Sequence, residues 1–302
     1  MKFLALGAVI CSLPFAAVAD QIRMTTDIAP IAGIAQAIGQ DHVTVSALLG
    51  PNQSPHHVTL RPSQAKSLAQ ADMIWVVGPD LTPGLYERIV AVAGDRVQNI
   101  TDLSTLDRRA LDTEHDHDHG HDNHDPADHS SPDTMMDPHV WLSPENAVTI
   151  AAALRDELRQ IDPANADHYA ANFVQFEQAL TDIMANAPQV QTHTDIAVSH
   201  DAFGYFQSEL GDIETITLTD AAAAELTPRT MAQTLSELDQ KSVACFIIDP
   251  QERAASAQDL AVRYNIPAIT VSPIFAQSNT YANPYLDLMA DLVRAYRTCL
   301  GQ

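Results

Sequence analysis

Positive charge is scarce in this chain. Sixteen Lys and Arg stand against 39 Asp and Glu, a net charge of −23 over 302 residues. A chain so acidic repels the phosphate backbone, which excludes nucleic acid as a partner. It suits a cationic ligand and a soluble life instead. Long apolar runs are missing too. No stretch reaches the roughly 20 residues that a membrane-spanning helix needs. Cysteine is limited to three residues, and Cys245 and Cys299 do not have the close spacing of a zinc knuckle. There is no His-Glu-x-x-His segment, so the helical signature of a zinc peptidase, with its general base, is absent.

What is present begins with Lys2, an apolar run over residues 4–11, and Ala17-Val18-Ala19. A positive start, a short apolar segment and a small-x-small site make a cleavable secretory signal, residues 1–19. Cys11 follows Ile10 rather than a small residue, which argues against a lipid anchor. Cleavage removes only Lys2 among charged residues, so −23 becomes −24. The exported chain is expected to be unanchored and held in a periplasm. In that oxidising compartment, Cys245 and Cys299 read as a disulfide, with buried free thiols as the plainer alternative.

Beyond the signal, apolar strand-like runs alternate with helical patterns. Strands are expected at 22–26, 43–49, 73–77 and 97–100. Helices are expected from 28, with Asp27 as cap, and at 62–70 and 81–92. After a polar stretch, helical periodicity runs from Ser143-Pro144 to about Arg159, and from Asp162-Pro163 to about Ala185. A second alternating set follows. Its strands are 196–198, 215–218, 243–248 and 268–271; its helices are 200–210, 228–240, 252–264 and 283–296. The expected fold is α/β, with two doubly wound lobes of mostly parallel sheet. The lobes would span 20–160 and 189–302, joined by one long, rigid backbone helix over 161–188. Ligands of such sheets bind at the carboxyl ends of strands, here in the cleft between lobes.

Residues 112–133 break the alternation. They hold six histidines, eight acids and no Lys or Arg. With almost nothing to bury, the segment reads as a disordered surface loop inserted in the first lobe. His115, His117, His119, His121, His124 and His129 are auxiliary metal-binding candidates; a solvated spacer is the equal alternative.

Three further histidines stand at strand ends or motif positions: His56 in Ser54-Pro55-His56-His57, His139 in Asp137-Pro138-His139, and His200 in Ser199-His200-Asp201. Imidazole suits Zn²⁺, and three nitrogens with one further position is an ordinary zinc geometry. Spacing alone does not join residues so far apart, and capped or surface histidines remain an alternative.

These segments resemble a known family. Ser54-Pro55-His56-His57 leading into Leu60-Arg61-Pro62-Ser63, then Asp137-Pro138-His139-Val140-Trp141-Leu142-Ser143-Pro144, then Ser199-His200-Asp201-Ala202-Phe203-Gly204-Tyr205-Phe206 are similar to the signature segments of the cluster A-I solute-binding proteins of ABC metal importers. The His/Asp-rich stretch and the pair Cys245 and Cys299 point to the zinc-uptake branch. The resemblance implies two α/β lobes on a long helix, with Zn²⁺ held between them by His56, His139 and His200. His57 is a substitute for His56. Many relatives add an aspartate where this chain has Ser272-Pro273, so water or a loop histidine would complete the site. Asp249 is a further candidate acid, with a strand-end cap as its plainer role. The implied partners are an ABC permease and a periplasmic zinc chaperone, with the protein itself a monomer. Two other functions stay open: a zinc buffer or metallochaperone acting through the His-rich stretch, and a zinc hydrolase.

Overall fold

The computed structural model describes residues 21–51, 53–111, 135–224 and 227–302. The signal segment and the six histidines of the 112–133 stretch lie outside these residues.

The first lobe contains β1 (Ile22–Thr26), α1 (Ala29–Gly39), β2 (Val43–Ala47), α2 (Pro62–Gln70), β3 (Met73–Val76), α3 (Pro83–Ala93) and β4 (Val97–Asn99). Its four strands are parallel, in the order β2-β1-β3-β4. Then come α4 (Pro144–Ile161), a 3-10 turn at Pro163–Asn165, and α5 (Ala166–Met184). The second lobe contains β5 (Val190–Val198), α6 (Gly204–Ser208), β6 (Gly211–Thr217), α7 (Pro228–Gln240), β7 (Val243–Ile248), α8 (Ala254–Tyr264), β8 (Ala268–Thr270) and α9 (Pro284–Cys299). Its parallel sheet repeats the same order, β6-β5-β7-β8. The two-lobe parallel α/β expectation therefore holds. In each sheet the order reverses beside the first strand, and the carboxyl ends there are where such folds place ligands.

β3 is buried at every position, as its unbroken apolar run requires. α4 is capped by Ser143, whose side chain accepts from the Asn146 N–H, with Pro144 in the first turn. The helical stretch is broken at Asp162-Pro163, so α4 and α5 are separate helices. α5 has 19 residues and spans about 28 Å at 1.5 Å per residue.

Other expectations need correction. Asp27 does not cap α1; its Oδ1 accepts from the Ile28 N–H at 2.9 Å and its Oδ2 from the Val77 N–H at 2.8 Å, pinning the ends of β1 and β3 together. β5 and β6 extend well before their apolar cores, through polar and mostly exposed residues that pair despite an irregular register. α6 is one short helix, because residues 199–202 are taken up holding His200 at the end of β5. α8 starts at Ala254, after Arg253 adopts a left-handed φ of +54°.

One large core cluster contains side chains of both lobes. α9 contributes to this continuity. Asn283 Nδ2 donates to the Gly33 carbonyl of α1 at 2.8 Å, while Cys299 forms a disulfide with Cys245 of β7, at a Cα–Cα distance of 5.4 Å.

Candidate metal centre

His56 sits in a 3-10 turn, Pro55–His57, between β2 and α2. Ser54 Oγ accepts from the His56 N–H at 3.2 Å and Pro55 fixes the turn's start. His139 is buried just before a second 3-10 turn, Val140–Leu142. Asp137 Oδ1 accepts from the His139 backbone N–H at 3.0 Å and lies 2.8 Å from its Nδ1. His200 follows β5, with Nδ1 3.1 Å from Asp249 Oδ2 at the end of β7. The remaining Asp249 oxygen accepts from the Gln251 N–H at 2.9 Å. Asp249 is thus both a strand-end cap and the partner of His200.

The topology brings these three histidines together. Their ring centroids are 5.6, 5.2 and 5.0 Å apart, and one ligand atom from each lies within 4.8 Å of the others. A carboxylate facing Nδ1 of His139 and of His200 fixes the proton there and leaves Nε2 as a lone pair. The Nε2 atoms of His56 and His139 are buried and lack hydrogen-bond partners. His200 Nε2 has one long contact, 3.5 Å, to the Ala221 carbonyl. Converging nitrogen lone pairs with no protein donor to meet them could hold a cation.

The electrostatics differ between the histidines. Burial, with the neighbouring imidazoles His139 and His200, pushes the His56 pKa down to about 2, so His56 is neutral at ordinary pH. For His200, burial lowers the pKa, but the hydrogen bond and charge of Asp249, then the charge of Glu252, reverse this to a net rise. Trp141 is fully buried, its ring 5.3 Å from that of His139, and its indole N–H donates to the Pro273 carbonyl at 2.8 Å. It packs beside His139 in the buried part of the site.

His57 is exposed, its ring 6.4 Å from that of His56, and it is not in the converging group. A second group, His193, Asp195 and Glu214, also brings ligand atoms within 4.8 Å. It is largely exposed, and Lys241 already pairs with Asp195 and Glu214, so it is an ion-pair network at the surface. Beside the centre, a cavity of about 680 Å³ is lined by Arg109, Leu111, Met135, Asp201 and Asp220, among others.

Residues 24–299 match the family model of ZnuA, the periplasmic component A of the zinc-uptake complex. The chain belongs to this family. It is 27% identical to the high-affinity zinc uptake system protein ZnuA of Yersinia pestis, over 92% of this chain and 91% of that one. It is 28% identical to the protein of the same name in Paracoccus denitrificans, over 99% and 98%. A manganese ABC transporter substrate-binding lipoprotein of Streptococcus pneumoniae is 23% identical over 82% of this chain and 78% of its own. Among solved structures, the periplasmic zinc-binding protein TroA of Treponema pallidum superposes with a TM-score of 0.75, at 18% identity, over 93% of this chain and 99% of that one. That likeness is one of fold. The ZnuA family is one of transport proteins rather than enzymes.

Of the supporting shell, sequence reasoning singled out Asp249 alone. Asp137 lies two residues before a candidate histidine, a signal that was available. Arg109 has a guanidinium 3.7 Å from Asp137 Oδ2 and fills the space where a side chain on Gly204 would sit; nothing in its local sequence marks it.

Proposed function

We propose that this chain captures Zn²⁺ in the periplasm and delivers it to an ABC-type permease for import. The observation that carries this reading is the convergence of His56, His139 and His200, buried or nearly so, with two of them held by buried carboxylates. No chemical step is needed. Capture exchanges the water around the ion for three nitrogens and one further ligand. A nitrogen-rich set favours Zn²⁺ over the harder manganese ion, which prefers oxygen. Release needs the lobes to be disturbed, a task for the permease. Residues 1–19 serve as the export signal, and the mature chain acts as a monomer. A zinc chaperone is a further partner.

The test is zinc titration by calorimetry of two proteins, one lacking residues 112–133 and one with the same deletion plus His139→Ala. The deletion is structurally mild, because its flanks already meet: the Leu111 N–H donates to the Met135 carbonyl at 2.8 Å. The expected outcome is one tight site in the first protein and none in the second. Loss of all tight binding in the first would instead assign function to the His-rich stretch, as a buffer.

A further inference from the structure

The loop from Asp249 to Arg253 leaves the carboxyl end of β7 and is anchored on both sides of the cleft. Asp249 holds His200. Gln251 Nε2 donates to the Pro51 carbonyl at 2.9 Å, in the first-lobe loop that leads to His56. Gln251 Oε1 accepts from Ser272 Oγ at 2.8 Å. Glu252 is the next residue. It is 5% exposed, and among the described residues its buried Oε1 has no hydrogen-bond partner. Arg253 follows at φ +54°, a conformation costly for a non-glycine residue, so the turn that buries Glu252 is not a default one.

A carboxylate taken from water without a partner is one of the least favourable placements in a protein. A cation would relieve it. Glu252 is held close to His200: its backbone N–H donates at 3.2 Å to the carbonyl of Asp249, the residue whose carboxylate faces His200 Nδ1. Three imidazoles leave one position of a tetrahedral zinc site open. We infer that Glu252 fills it, its Oε1 becoming the oxygen ligand to the ion held by His56, His139 and His200. The inference rests on the zinc-capture reading above. Among the described residues the converging group at this centre is the three imidazoles, without Glu252, so Glu252 turns about its side-chain torsions as the ion arrives. The ligand would then come from the β7–α8 loop, next to Ser272, rather than from position 272 itself.

The test compares the full-length protein with Glu252→Gln, using Zn²⁺ for affinity and one equivalent of Co²⁺ as a spectroscopic probe. Glu252→Gln should weaken zinc binding by roughly tenfold or more. Its cobalt form should gain a pH-dependent change in visible absorption near neutrality, because water now fills the open position and ionises there; the wild-type spectrum should lack it. The metal-free variant should melt no lower than wild type, since a buried unpaired charge has been removed. Unchanged affinity and an unchanged cobalt spectrum would overturn the inference. So would weaker binding matched by lower metal-free stability, which marks a structural role. A wild-type protein with no tight site that His139→Ala removes would sink the zinc-capture reading itself.

Discussion

At the scale of single residues, the centre sets opposing demands on its histidines. His56 has a folded pKa of about 2 against 6.5 for the ordinary imidazole. Between those values the unfolded chain binds a proton that the folded chain refuses, so His56 makes the metal-free protein lose stability as pH falls below 6.5. His200 acts the other way. Its pKa is raised, so its contribution is fully present below 6.5 and fades as pH rises through the folded value. At about 1.4 kcal/mol per pH unit, the His56 effect reaches about 2 kcal/mol at pH 5. Urea unfolding of metal-free His56→Gln and wild type should therefore show the variant gaining about 2 kcal/mol on wild type between pH 7 and pH 5. A gap that does not vary with pH would mean that His56 is solvated rather than buried. The three histidines were legible in the sequence only through their motifs. They are 83 and 61 residues apart, and no local period links them. Glu252 was not legible at all, because an acid at the start of a helical pattern looks like ordinary first-turn chemistry.

At the scale of elements, the apolar runs were the readable part. β3 and β7 bury all or most of their residues, and their hydrophobicity gives them away. β5 and β6 were underestimated because half of each is polar and held by pairing rather than burial. The contact between α1 and α9 was invisible, since it joins residues about 250 positions apart. It turns on Gly33. A Cβ there would lie 2.5 Å from the Tyr285 backbone nitrogen and 2.9 Å from its Cβ. Gly33→Ala ought to gain up to about 1 kcal/mol from helix propensity alone. The clash is with α9's backbone, which cannot swing aside, so overpacking at about 1–3 kcal/mol should win. Chemical denaturation should show a net loss of stability. A net gain would mean that α9 stands off from α1.

At the scale of the whole molecule, two helices rather than one bridge the lobes. α5 connects them along the chain, and the sequence pointed to it. α9 closes back over α1, donates from Asn283 to Gly33, and carries the Tyr285 hydroxyl that donates to the Trp141 carbonyl at 3.0 Å. Its last residue is tied by disulfide to β7, the strand whose end holds Asp249. A second bridge of this kind limits how far the lobes can separate, which fits a site whose ligands are already converged. The disulfide closes a loop over a sequence separation of 54. In the chain-entropy account such a loop is worth about 4 kcal/mol, gained by restricting the unfolded chain. Cys245→Ala with Cys299→Ala should therefore lower the unfolding free energy by about 4 kcal/mol in urea. Neither cysteine is among the converging side chains, so calorimetry on the double variant should still find the tight zinc site. If that site were lost while the fold survived, the α9 clasp would be setting the lobe spacing that brings His56 and His139 up to His200.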